Sequence, residues 1–244
     1  GDEGEIDLSG GEQTVGGLNG SEGSTVNIDE GQLTISQDEG STSTFGGSLT
    51  GNGSLIVAGG GSINLTGVNT YTGPTSVEGG KLSVNGSITS AVTVNDGSIL
   101  GGSGTINGSI LIRRNATLAP GNSPGVLNVG GPLTLSAGST TLIEVNPSLS
   151  PVNDRIDATG VVTIENGAIL DVDPQGSIDL YQRANEYTII NAGGGLVGAF
   201  AESDVSSSMA LLDPRLVYEP TRLRLQLIRN DIAFNSLAKN TNQF

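Results

Sequence analysis

The feature that most constrains this chain is a short pattern that recurs along it. An aliphatic residue is followed three positions later by glycine or asparagine, and a further strand residue comes two positions after that. The instances are Ile28…Gly31…Leu33, Val57…Gly60…Ser62, Val77…Gly80…Leu82, Val94…Gly97…Ile99, Ile112…Asn115…Thr117, Leu135…Gly138…Thr140 and Ile164…Gly167…Ile169. Their turn positions are unevenly spaced, closest from Gly80 to Gly97 and widest from Gly31 to Gly60 and from Gly138 to Gly167. Around them, apolar and polar residues alternate, as in Lys81-Leu82-Ser83-Val84-Asn85 and Val162-Thr163-Ile164-Glu165. Alternation of this kind gives a strand one apolar and one wet face. Each intervening turn carries a residue that tolerates positive φ: Gly31, Gly80, Gly97, Asn115, Gly138 or Gly167.

Units this short cannot fold singly. Ordering about 20 residues costs roughly 20–40 kcal/mol of backbone entropy, while burying four aliphatic side chains returns only about 6–12 kcal/mol. Stacked units share apolar contacts and complete one another's backbone ladders. The spacing therefore predicts an all-β solenoid, a parallel β-helix, with loops of unequal length leaving some coils. Composition agrees. The chain has 39 Gly, only 4 Phe and 4 Tyr, and no Trp, so Val, Ile and Leu carry the core and glycine the turns.

The same composition removes several functions. There is no Cys and no His, so thiolate chemistry and an intrachain Ser-His-Asp triad are excluded. The net charge of −15 disfavours nucleic acid and anionic membrane surfaces. No apolar run approaches about 18 residues, so no membrane-spanning helix is expected. The opening Gly1-Asp2-Glu3-Gly4-Glu5 does not read as a signal peptide. Charge is unevenly spread: Lys81 is the only basic residue ahead of Arg113.

The last third reads differently. Leu216-Val217-Tyr218, Glu219-Pro220-Thr221 and Leu223-Arg224-Leu225-Gln226-Leu227-Ile228 predict a β-hairpin around a proline turn, capping the solenoid. Leu225 and Leu227 would anchor it, with Arg222, Arg224 and Arg229 charging its edge. Tyr181, Tyr187, Phe200 and Tyr218 bring aromatic bulk for a wider core. Helical spacing occurs only over residues 231–239, where Ile232, Phe234, Leu237 and Ala238 would share one side.

Some residues invite a catalytic reading. Asp154 and Asp157 flank Arg155, and Asp171 and Asp173 would share one strand face. Clustered carboxylates, sometimes with Ca²⁺, cleave polysaccharides. Ordinary solvated charge accounts for them better, because aromatic platforms for sugars are scarce and no Asp-Asp pair occurs. The runs Gly59-Gly60-Gly61 and Gly193-Gly194-Gly195 lack the Lys-Ser/Thr of a phosphate loop. Asn-x-Ser/Thr triplets such as Asn64-Leu65-Thr66 read as turn asparagines. No catalytic, cofactor-binding or metal-binding residue is assigned.

Asn69-Thr70-Tyr71-Thr72-Gly73-Pro74-Thr75, followed by Val77-Glu78-Gly79-Gly80-Lys81-Leu82-Ser83-Val84, resembles the passenger-associated transport repeat of bacterial autotransporters. Leu118-Ala119-Pro120-Gly121-Asn122-Ser123-Pro124-Gly125 resembles the proline-glycine turn that follows it there. Tyr187-Thr188-Ile189-Ile190 with Gly193-Gly194 and Gly198-Ala199-Phe200 resembles the segment near a passenger's end. The likeness covers residues 46–243; residues 1–45 carry no such motif. It implies a right-handed parallel β-helix from the C-terminal passenger portion of a type V secretion protein. Residues 1–100 would be stalk coils, 101–228 an autochaperone-like module with its cap, and 229–244 the start of a linker to a translocating barrel. The segment would be non-catalytic, aiding secretion and folding of the passenger at the bacterial surface. Its partners would be its own outer-membrane barrel and host or bacterial surface ligands or other copies of itself, with no nucleic acid. An adhesive or self-associating surface, or a stalk beneath an upstream protease or esterase, are the alternatives.

Overall fold

The computed structural model describes residues 4–8, 10–181 and 185–230, and within these the chain is a parallel β-helix. Its inward aliphatic side chains form a single continuous core running from Val26 to Leu227. The expected helix over 231–239 lies outside the described residues.

Three faces build the solenoid. The first stacks nine strands in parallel, from Gly11–Val15 through Gly31–Gln37, Ser54–Gly59, Thr75–Val77, Val92–Val94, Ile110–Ile112, Leu133–Leu135 and Val162–Ile164 to Leu196–Gly198. The second stacks Thr42–Phe45, Ser62–Leu65, Lys81–Val84, Ile99–Gly102, Thr117–Pro120, Thr140–Val145, Ile169–Pro174 and Val205–Ser207. The third runs from Val68–Asn69 through Ser87–Ile88, Thr105–Ile106, Val126–Val129 and Arg155–Ala158 to Asn185–Ala192, with Glu5–Asp7, Thr25–Asn27 and Ser48–Thr50 as a separate sheet among the earlier coils.

Register follows the alternation read from sequence. On the first face the inward column is Leu33, Leu55, Thr75, Val92, Ile110, Leu133, Val162 and Leu196. The coil from Thr75 to Val92 is the shortest of this series, and the one from Val162 to Leu196 is the longest. On the second face, Ile63, Leu82, Leu100 and Leu118 stack likewise. Apart from the half-covered Leu196, these aliphatic side chains are shut off from solvent. A one-residue slip would turn every one of them outward, so burial fixes the pairing.

Two details depart from the sequence reading. Ile28…Gly31…Leu33 has the spacing of the other repeats but sits at another corner. Gly31 opens a first-face strand, paired by way of Gln32↔Ser54, whereas Gly60 lies between the first and second faces. The positive φ there belongs to Glu30 (52°), while Gly80, Gly97, Asn115, Gly138 and Gly167 have positive φ as expected. The arginines, too, do not line an edge. Strand Arg222–Arg229 is antiparallel to Asn185–Ala192 on one side and to Leu212–Glu219 on the other, so the outer strand is Leu212–Glu219. That edge carries Pro214, which removes a backbone donor, and the charges of Asp213, Arg215 and Glu219. Arg224 instead ties three strands together, donating to Glu186 and Glu219.

The corners explain the glycine content. Between the second and third faces, Gly47, Gly67, Gly86 and Gly104 lie in a column. A Cβ on Gly67 would fall 1.9 Å from the Gly47 carbonyl oxygen, one on Gly86 2.0 Å from that of Gly67, and one on Gly104 2.2 Å from that of Gly86. Gly108, Gly131, Gly160 and Gly194 repeat this between the third and first faces, each against the backbone of the coil before it. Side chains are excluded here because neighbouring coils touch backbone to backbone.

Gly67→Ala should therefore destabilise the chain by about 2 kcal/mol or more, while Gly16→Ala, whose Cβ meets nothing within 4 Å, should leave it nearly unchanged. Denaturant melts of the two variants check this; equal effects would contradict the close packing of the glycine column.

Candidate functional site

The motif that begins at Asn69 folds into a buried polar knot. Asn69 is buried at the corner after Val68–Asn69, where the strands of the third face do not continue directly onto Ser48–Thr50. Its side chain bridges the break. The Leu49 N–H donates to Asn69 Oδ1 (3.0 Å), and Asn69 Nδ2 donates to the carbonyls of Gly67 and Ser87, each at 3.1 Å. One amide thus satisfies backbone groups in three successive coils. Tyr71, fully buried, places its hydroxyl 2.6 Å from Thr75 Oγ1, which lies 2.5 Å from Ser90 Oγ. That chain explains why the otherwise aliphatic first-face column holds a threonine at position 75. Burial pushes the Tyr71 phenol up, against the opposing hydrogen bonds of Ser90 and Thr75. Gly73 packs on Gly53, with room for no Cβ (2.1 Å from the Gly53 carbonyl oxygen). Gly80 and Gly97 hold the turns between the first and second faces.

The proline-glycine turn is pinned by an aspartate from a later coil. Pro120 ends the strand Thr117–Pro120, and Gly121 leaves it with φ +92°. A Cβ on Gly121 would fall 2.1 Å from Asp154 Oδ1, so both conformation and contact demand glycine. Asp154 is buried. Its Oδ1 accepts from the Gly125 N–H (2.8 Å) and its Oδ2 from the Glu144 N–H (2.9 Å), while its own N–H donates to the Glu144 carbonyl (2.8 Å). Pro124 sits inside the loop so closed. Burial pushes the Asp154 carboxyl up to about 7; the two backbone N–H groups pull the other way, and the Glu144 charge adds a smaller upward push.

The remaining carboxylates do not converge. Arg155 and Asp157 point outward on the third face and pair bidentately (2.8 and 2.7 Å), with Asn191 Nδ2 also donating to Asp157 (2.7 Å). Burial would raise the Asp157 carboxyl, but the bonds from Arg155 and Asn191 and the Arg155 charge outweigh it and hold it low. Asp171 and Asp173 share the outer side of the second face, as their spacing predicts, and accept from the hydroxyls of Ser206 (2.8 Å) and Ser208 (2.6 Å). Among the described residues no three acidic side chains are placed to hold a metal ion.

At the C-terminal end, Leu225 and Leu227 are fully buried, paired with Tyr187 and Asn185 on one side and with Leu216 and Pro214 on the other. Tyr181, also buried, sets its hydroxyl 2.7 Å from the Val145 carbonyl and 2.8 Å from that of Gln175. The Asn69 bridge and the grip of Asp154 on the turn join groups that lie a whole coil apart in the chain, which residue spacing alone does not reveal. The sequence flags these residues only as a motif and a charged group.

The chain is similar to three proteins. It is 31% identical over 202 residues to an extracellular serine protease of Serratia marcescens, spanning 80% of this chain and 19% of that protein. It is 36% identical over 164 residues to the adhesin BmaC autotransporter of Brucella suis biovar 1 (strain 1330), spanning 64% of this chain and 5% of the adhesin. A second extracellular serine protease of Serratia marcescens is 27% identical over 201 residues. The chain thus spans about a fifth or less of the length of these relatives. No family model matches it.

Two substitutions separate the motif from the turn. Asn69→Ala removes three hydrogen bonds to the backbone and leaves the buried Leu49 N–H without its acceptor, and should cost about 2 kcal/mol in a denaturant melt; a loss below about 0.5 kcal/mol would mean that water replaces the amide. For Asp154 the folded carboxyl titrates higher than the unfolded one, so the stability this group contributes is greatest below pH 4 and falls as pH rises toward about 7. Asp154→Asn should flatten that part of the profile, narrowing the difference between pH 4.5 and pH 8 by roughly 3 kcal/mol. Identical profiles for the two proteins would show that Asp154 does not carry the raised carboxyl.

Proposed function

We propose that this chain, similar to part of an autotransporter adhesin and of an extracellular serine protease, is a non-catalytic passenger segment that aids outer-membrane secretion and folding and then serves as a stalk at the bacterial surface. One observation carries the reading, the cover over the C-terminal coils. At the C-terminal end an antiparallel hairpin covers the last coils and buries Leu223, Leu225 and Leu227.

A stack so built grows from one end. The capped end needs no template, since its hairpin is local in sequence. Each further coil adds to a formed edge and avoids a new nucleus. Residues 101–228 would fold first outside the cell, as an autochaperone-like module, and the free energy of each added coil would oppose backsliding. Residues 229–244 would lead into the chain's own outer-membrane barrel. The likeness to the BmaC adhesin favours a second role for the same coils, as a surface that binds host or bacterial ligands or other copies of itself. The likeness to extracellular serine proteases fits a stalk beneath an upstream enzyme.

The test is surface display of the full parent protein with residues 101–228 deleted in frame. The expected result is a barrel inserted in the outer membrane with no folded passenger outside. Normal export of a folded passenger would reduce the segment to a passive stalk.

A further inference from the structure

A cleft of about 310 Å³ opens on the solvent side of the second face, beside the proline-glycine turn. Ala119 and the outward-facing Leu142 line its floor. Gly101, the register partner of Ala119 in the adjacent strand, is covered by Lys81 from the coil before: a Cβ on Gly101 would come within 3.2 Å of the Lys81 Cε. The turn forms one wall through Asn122 and Ser123, and Glu144 stands on the opposite strand.

Two charged side chains that face this space, Lys81 and Glu144, are uncommitted. Among the described residues Lys81 makes no ion pair, although it is the only basic residue ahead of Arg113. Glu144 spends its backbone N–H and carbonyl on Asp154, and its carboxylate takes no bond from any described residue. Asn122 commits its Nδ2 to Asn85 and Ser103, which fixes the amide and leaves its Oδ1 as an acceptor. A cationic donor, an anionic acceptor and a fixed amide oxygen thus line one small void with no ion pair closing it. Asp154 beneath holds the turn that shapes it.

We propose that this cleft is a subsite for one neutral sugar residue of a glycan chain. Vicinal hydroxyls both donate and accept, so Lys81 can donate to one while Glu144 accepts from its neighbour. The small Ala119 beside Leu142 leaves room for a sugar ring to lie against the sheet, with Leu142 offering its C–H face an apolar contact. The volume, near the lower end of ligand-sized clefts of about 300–1,000 Å³, suits a single ring. The net charge of −15 disfavours anionic polysaccharides, and the polar lining disfavours an apolar ligand.

The test is backbone amide shift mapping of the full chain with the methyl glycosides of glucose, galactose, mannose and N-acetylglucosamine, and with glycine as a zwitterionic control. At least one glycoside should give saturable shifts confined to Ala119, Asn122, Ser123 and Glu144, with a millimolar Kd. Lys81→Met, which keeps the stem over Gly101, and Glu144→Gln should each weaken that binding at least tenfold while amide shifts elsewhere stay unchanged. The proposal is overturned if no glycoside shifts these amides, if both variants bind as the parent does, or if glycine binds and the sugars do not.

Discussion

Every coil of this molecule satisfies its backbone through its neighbours, and that dependence governs the rest. Parallel ladders require successive coils to lie one strand spacing apart all the way round. On the faces this distance suits side chains, and the aliphatic columns fill the interior. At the corners, where the chain turns, the same distance brings backbone against backbone. The columns through Gly47, Gly67, Gly86 and Gly104, and through Gly108, Gly131, Gly160 and Gly194, follow from it. A chain with 39 glycines would otherwise lose stability to their entropy; here the ladder gives a large share of them a position that no other residue can hold.

Where ladder geometry fails, side chains stand in for backbone. Asn69 bridges a discontinuity in the third face with one amide, and Asp154 anchors a loop that has left the sheet. On the outside of the third face, Asp157 and Asn191 and then Arg222 continue a hydrogen-bonded row from the parallel coils into the antiparallel hairpin. The reversal of strand direction is therefore stitched by side chains as well as by main chain. Each of these groups is polar, and each serves the frame.

Much of this frame was legible in the residues. Alternation and turn spacing carry the solenoid because a strand's faces and a turn's φ are local properties, written within a few consecutive positions. The hairpin was legible for the same reason. The misassigned repeat at Ile28 shows the limit of local reading: two different corners use the same aliphatic-x-x-glycine spacing, and only pairing across coils tells them apart. The arginines failed for a related cause. An alternation of leucine and arginine looks alike in an edge strand and in one flanked on both sides, and what differs is the strand Leu212–Glu219 beyond it. The cleft under the proline-glycine turn draws Lys81, Asn122 and Glu144 from three coils, so nothing in their spacing announces it.

The unequal coils have a mechanical consequence. Hydrogen bonds between coils run along the long axis, so tension between the two ends is borne by one layer of ladders after another. The layers differ in strength. In the two short coils that begin at Thr75 and Val92, the third-face strands Ser87–Ile88 and Thr105–Ile106 are only two residues long. Further on, the third-face strands Val126–Val129 and Arg155–Ala158 each have four. Stretched from its ends, the rod would part first across its narrow middle, and the broad base with its hairpin would stay whole.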